Sequence, residues 1–287
     1  MKPNITVPEN VTEAEQKARQ AATGKWMSRL ARLGYAVKGV VYLIIGLLAM
    51  QLAVGQGGKV TDQRGALQTI AEQPFGKFLL VIVTIGLVGF ALWSFIQAVF
   101  DTEGKGSDAK GIAGRIGYAV VGVSYALLAL AAFGLVMGSG NGGKSSTAST
   151  QDWTAMLLKQ PFGVFLVILL GLVFIGVAFY VFYKAYSAEF RRWLNLATLD
   201  VQLTKLVVFL GRFGYAALGV VLGIIGIFLI VAALQHNPGQ AKGLDAALKV
   251  LLHQPFGPVL LGIVALGLVA YGVYSFVEAR YRRVGRG

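Results

Sequence analysis

The sequence predicts an all-α integral membrane protein. Six transmembrane helices form three parallel two-helix repeats with a pseudo-threefold arrangement about the membrane normal. Three observations carry this. Of the 287 residues, 56% are hydrophobic and only 14% charged, against roughly 25% charged in soluble domains. Six apolar runs lack any charged residue: Gly39–Val54, Phe78–Phe100, Ile116–Gly138, Val164–Tyr183, Phe213–Leu234 and Val259–Val277. About 20 helical residues cross a ~30 Å hydrocarbon layer. Third, the tetrapeptide Gln-Pro-Phe-Gly occurs three times, at intervals of 87 and 94 residues.

Residues 1–31 read as a cytoplasmic amphipathic segment. Thr12 and Glu15 fit a capping box. Trp26, Met27, Leu30 and Leu33 form an apolar stripe beside Lys25, Arg29 and Arg32, which predicts a surface helix running into the first span. Three repeats follow, over 32–101, 115–190 and 212–283. Each opens on Arg-x-Gly-Tyr, at Arg32–Tyr35, Arg115–Tyr118 and Arg212–Tyr215. Seven residues after each Arg stand Gly39, Gly122 and Gly219; seven further stand Gly46, Ala129 and Gly226. Small residues at that spacing make a stripe where another helix can approach closely.

A short amphipathic helix is expected before each tetrapeptide, over Gly65–Glu72, Asp152–Lys159 and Leu244–His253. The tetrapeptides themselves are Gln73, Pro74, Phe75, Gly76; Gln160, Pro161, Phe162, Gly163; and Gln254, Pro255, Phe256, Gly257. Proline at the first helical position predicts the start of each returning helix. Phenylalanine is then expected at the headgroup level, glycine at a close approach, and glutamine on a stray backbone group. The functional alternative is a ring of three motifs around a solute path. Twenty and twenty-two residues after each Gln stand Trp93 and Phe95, Tyr180 and Phe182, Tyr274 and Phe276. These aromatics are expected at the cytoplasmic interface. The Gly/Ser/Thr-rich stretch Gly138–Thr150 is expected to be a loop. Phe190–Leu210 is expected to hold an interfacial helix.

Each unit crosses twice and ends where it began, so successive units share one orientation. The formal charge of +13 is unevenly placed. Seventeen Lys/Arg fall in segments on the side of the termini and seven in the alternate loops, which predicts cytoplasmic termini. The basic tail Arg280, Arg282, Arg283 and Arg286 suits anionic lipid headgroups. Nucleic acid is not expected as a partner, because stacking aromatics are not interleaved with that tail.

Over roughly residues 30–283 the chain resembles the domain-of-unknown-function 1206 family, bacterial membrane proteins with a repeated pair of transmembrane helices, usually three times. The resemblance rests on Gly34-Tyr35 with Lys38-Gly39, on Gly117-Tyr118 and Gly214-Tyr215, and on the three Pro-Phe-Gly turns. Repeats two and three carry Val121 and Leu218 where the first has Lys38. The resemblance implies a multi-pass fold in a bacterial inner membrane and no activity.

Intramembrane charge is the first place to look for function. Lys38, Lys184 and Glu278 qualify; Lys184 and Glu278, with Gln97, each lie 24 residues after their Gln. Either they are interfacial anchors that snorkel, or Lys38 pairs with Glu278 and joins the first helix to the last. The absence of cysteine removes disulfides and thiolate chemistry. His236 and His253 have no carboxylates at ligand spacing. No metal, cofactor or catalytic constellation is expected, and the chain does not read as an enzyme. The expected function is a membrane scaffold or accessory subunit that binds lipid or a partner protein. The alternative is a transporter or channel along the pseudo-threefold axis, lined by Tyr42, Tyr125, Ser124, Thr84 and Ser94.

Overall fold

The computed structural model describes residues 24–102, 106, 108–138, 144–195 and 199–282. Thr12, Glu15, Arg283 and Arg286 lie outside them. Six long helices are α1 (Lys25–Ala53), α3 (Gly76–Phe100), α4 (Ala109–Val136), α6 (Gly163–Ser187), α7 (Val201–Leu234) and α9 (Gly257–Tyr281). All six are long and apolar enough to span a membrane. Helical pairing satisfies the backbone groups of each span's interior, which hydrocarbon demands. Three short helices lie at one end: α2 (Gln63–Ala71), α5 (Ser146–Leu158) and α8 (Leu244–Leu252). We call this the short-helix end. The opposite end, where α1 begins and α9 finishes, is the terminal end.

Most boundaries follow the sequence expectation, with three differences. Ser146–Thr150 is not loop but the first turns of α5, because the Ser145 side chain accepts from the Ala148 N–H and caps the helix. The segment after α6 is a 3-10 turn, Glu189–Trp193, and the next helix runs unbroken from Val201 through the span. Each tetrapeptide proline precedes its helix instead of opening it.

That last difference has a clear geometry. The Gly76, Gly163 and Gly257 N–H groups donate to the Gln73, Gln160 and Gln254 carbonyls at 2.8, 2.9 and 2.8 Å. Proline and phenylalanine are the two corners of this turn. The second corner has φ of 61° at Phe75, 63° at Phe162 and 59° at Phe256, as a type II turn requires. The left-handed conformation costs a side-chain-bearing residue about 1–2 kcal/mol. The glycine cannot be replaced cheaply: a Cβ would fall 2.2, 2.3 and 1.8 Å from carbonyl oxygens of Ala71, Leu157 and Leu252. Each short helix therefore folds back tightly onto the helix it precedes. The Gln73 and Gln254 side-chain amides donate to the Thr69 and Val250 carbonyls at 3.3 Å, satisfying the end of the short helix.

The long helices pack in the order α4–α3–α1–α9–α7–α6. Three of these junctions join one repeat to the next, and they are built alike. Gly122 faces the Phe95 ring, Gly219 the Phe182 ring and Gly39 the Phe276 ring; a Cβ would meet each ring at 3.0–3.1 Å. The small-residue stripe of each repeat thus receives the returning helix of the repeat before it, and the third repeat closes on the first. These phenylalanines pack as knobs between helices. Arg115 and Arg212 reinforce the junctions. Arg115 donates to the Ala98 and Val99 carbonyls at 2.7 and 2.8 Å, and Arg212 to the Tyr186 carbonyl at 3.1 Å. Each caps the free carbonyls at the end of the preceding helix.

Within repeats the pattern breaks. Helices α1 and α3 pack together, as do α7 and α9, but α4 and α6 do not. Gly34 is pressed on Phe90, and Gly214 on Tyr271, whereas a Cβ at Gly117 would meet nothing within 4 Å. The second repeat is therefore open on its side.

Candidate functional site

The inner faces of α1 and α9 carry the polar core. On α1, Tyr35, Lys38 and Tyr42 follow at helical spacing, on α9 Tyr271, Tyr274, Ser275 and Glu278 do the same, and Arg282 stands just past the end of α9. Lys38 and Glu278 meet: Lys38 Nζ donates to Glu278 Oε2 at 2.8 Å, with side chains 7% and 1% exposed. The other carboxylate oxygen, Oε1, accepts from Arg282 at 2.5 Å. One carboxylate is thus bracketed by two cations.

Aromatic rings enclose this charge cluster. Lys38 Nζ lies 4.9 Å from the Tyr35 ring centroid, 5.0 Å from Tyr271 and 5.5 Å from Phe90. Arg282 also lies 4.9 Å over the Tyr35 ring. Rings of this kind attract a desolvated cation through their negative faces. The layer continues through Tyr42, edge-on to Tyr271 at 4.9 Å, and through Tyr215, which packs on Tyr271 and Tyr274. Lys184 lies 4.3 Å over the Tyr215 ring. Snorkelling anchors do not describe Lys38 or Glu278, since both are buried.

The cluster is closed towards the terminal end. Phe190, in the 3-10 turn after α6, is buried against Tyr215 and Tyr274 at 5.5 and 5.1 Å. Backbone pairing holds the turn there: Leu194 bridges Arg282, and the Asn195 N–H donates to the Tyr281 carbonyl at 2.8 Å. Trp93 and Tyr274, expected at the membrane interface, are instead 2% and 0% exposed. Their indole N–H and hydroxyl have no hydrogen-bond partner among the described residues. The equivalent Tyr180 in the open second repeat is 54% exposed. Burial follows packing, so an aromatic at the same register faces inward only where its repeat closes.

Of the polar residues expected to line a path, three bond within their own helices. Thr84, Ser94 and Ser124 hydroxyls donate to carbonyls one turn back in their own helices, at 2.7, 2.8 and 2.9 Å. Ser124 is exposed, and Tyr125 rests on Phe90 at 4.5 Å. The phenylalanines of the three tetrapeptides point away from the protein, at 82–84% exposure. Among the described residues, no group of three or more His, Cys, Asp or Glu side chains could hold a metal ion.

A second polar cluster knits the short helices. The Ser146 and Thr147 hydroxyls donate to Asp245 Oδ1 at 3.1 and 2.6 Å, and the Thr147 N–H at 3.1 Å. The Gly243 and Leu244 N–H groups return the contact to Thr147 Oγ1 and Ser146 Oγ, at 2.9 and 2.8 Å. Asp62 caps α2 through Gly65 and also accepts from the Ser146 N–H. Arg64 donates to Ser149 Oγ at 3.3 Å. The N-termini of α2, α5 and α8, one from each repeat, so converge on two carboxylates. Sequence reading missed this latch, because its members belong to different repeats and share no motif. Arg282 was more legible, since it stands four residues after Glu278.

Six apolar spans built from three two-helix repeats define a multi-pass membrane protein. The repeats match the model of the family described as Domain of Unknown Function (DUF1206), over residues 33–101, 116–188 and 213–282. The chain belongs to that family. It is 37% identical over 262 residues to an uncharacterized protein of Bacillus subtilis (strain 168), YxxB, covering 91% of this chain and 94% of the relative. No solved structure matches the chain.

Proposed function

We propose that this protein is a non-enzymatic scaffold or accessory subunit of the bacterial inner membrane, with both termini in the cytoplasm, that binds lipid or a partner protein. The single observation that carries the reading is the closed polar core. Its one buried carboxylate is bracketed by two cations, its rings interlock, and Phe190 covers it from the terminal end. Such a core joins the first helix to the last and leaves the outer faces for contact. The excess of Lys/Arg on the terminal side supports cytoplasmic termini.

The open side of the second repeat favours one rival. Because α4 and α6 do not pack together, a solute could reach the interior between them, and intramembrane charges commonly serve transport. One experiment separates the two. The full-length chain, reconstituted in vesicles holding a pH-sensitive dye, is compared with protein-free vesicles under imposed proton and cation gradients. The scaffold reading expects equal leakage. A flux that Lys38→Met abolishes overturns it and establishes the rival.

A further inference from the structure

We propose that a cleft at the terminal end, between the 3-10 turn Glu189–Trp193 and the first turns of α7, binds the phosphate of an anionic membrane phospholipid. The inference rests on the membrane-scaffold reading and names the lipid class and the place. The cleft has a volume of about 300 Å³ and is lined by Arg191, Thr204, Lys205, Val208, Phe209 and Arg212. Three of the six are cations and one is a hydroxyl, the donor set that phosphate recognition uses.

These cations are not committed to carboxylates. Glu189 pairs with Arg192 at 2.5 Å, and Asp200 is used as the N-cap of α7. Among the described residues no acidic side chain pairs with Arg191, Lys205 or Arg212. Arg212 spends one nitrogen on the Tyr186 carbonyl, and its remaining N–H groups stay available.

The remaining wall identifies the phosphate as a lipid's. Helix α7 starts eleven residues before its repeat arginine, whereas α1 and α4 start seven and six residues before theirs. The extra length at the terminal end carries Leu203, Leu206 and Phe209, all exposed by more than half. Phe209 stacks on Phe213 at 6.0 Å, one turn further into the span. An apolar strip therefore runs from the cationic cleft directly onto the hydrocarbon-facing surface of α7. A soluble phosphate would have no use for that strip, while a diacyl lipid would lay a chain along it. The second repeat lacks the feature: the position of Lys205 relative to its arginine is held there by Asp108, the N-cap of α4, while the first repeat carries Lys25 at that position on a shorter helix extension.

The test uses the full chain in zwitterionic phosphatidylcholine nanodiscs, with phosphatidylglycerol titrated in and retained lipid read by native mass spectrometry. The parent should prefer phosphatidylglycerol. Arg191→Gln with Lys205→Gln should weaken the preference by roughly tenfold to thirtyfold, from about one favourable headgroup contact per cation. Lys205→Glu alone, at an exposed position, should weaken it without disturbing the fold, which the unfolding midpoint checks. Inorganic phosphate at millimolar concentration should not displace the lipid. The proposal fails if both variants retain the parent's preference; the lipid-binding reading then survives with its site elsewhere, such as the basic tail. It fails equally if inorganic phosphate competes fully. A parent without preference for phosphatidylglycerol over phosphatidylcholine overturns both the site and anionic-lipid binding.

Discussion

Replacing Glu278 by Gln should be the most damaging isosteric change in the chain. The carboxylate is 1% exposed and holds Lys38 at 2.8 Å and Arg282 at 2.5 Å, with those side chains 7% and 10% exposed. Neutralising it leaves two buried cations facing one amide. Breaking a buried pair from one side costs about 3–5 kcal/mol. Lys38→Met should cost less, about 1.5–3 kcal/mol, because Glu278 keeps Arg282. In the double variant the surviving Arg282 lies near the terminal end and can extend to water. The two changes should then be non-additive by more than ~1 kcal/mol. Charge reversal offers a sharper form. Lys38→Glu with Glu278→Lys restores the pair but sets the new lysine against Arg282, so rescue should be partial. Adding Arg282→Glu should complete it. Unfolding by SDS in mixed micelles, followed through the four tryptophans, measures each step. Additivity within ~0.5 kcal/mol, or full rescue by the two-residue reversal alone, would refute the bracketed-carboxylate account.

Four further outcomes are expected. Gly257→Ala should destabilise more than Gly76→Ala or Gly163→Ala in the same assay, because its Cβ would approach a carbonyl oxygen to 1.8 Å rather than 2.2 or 2.3 Å. Phe162→Asn should stabilise the detergent-solubilised protein by about 1 kcal/mol, since asparagine tolerates the left-handed turn position; a loss of stability would show that the exposed ring contributes more than the backbone strain costs. Gly34→Ala meets Phe90 at 2.5 Å, and Gly117→Ala meets nothing within 4 Å. The first should lose about 1–3 kcal/mol and the second should be neutral or gain up to about 1 kcal/mol, and equal losses would contradict the open second repeat. Asp245→Ala removes the acceptor for three donors on α5 and should raise hydrogen exchange in α5 and α8 while sparing α3.

How far the sequence could be read depended on the kind of interaction involved. Six spans, the internal repeat and the glycine stripe were legible because they are periodic and local. The Lys38–Glu278 pair could be conceived because charges within spans are so few that they suggest their own partner. The tetrapeptide turn was half legible. Proline marks a helix boundary, but whether it stands inside or just before the first turn depends on how the short helix folds back. The latch at Asp62 and Asp245 was invisible, since polar residues in loops of three different repeats carry no mutual spacing. Trp93 and Tyr274 were placed at the interface by their type, yet packing buries them, while Tyr180 at the matching register stays exposed.

The chain's own order of residues determined that it spans a bilayer and does so in three copies of one hairpin, because hydrophobicity and repetition are properties of a polymer before it folds. Which helix each glycine stripe receives, and that the middle hairpin stays open while its neighbours close, came only with tertiary structure. The reason is steric. A missing Cβ permits close approach from any neighbour, and only the contours of the whole assembly decide whether Phe276 fills the space at Gly39 or nothing reaches the one at Gly117.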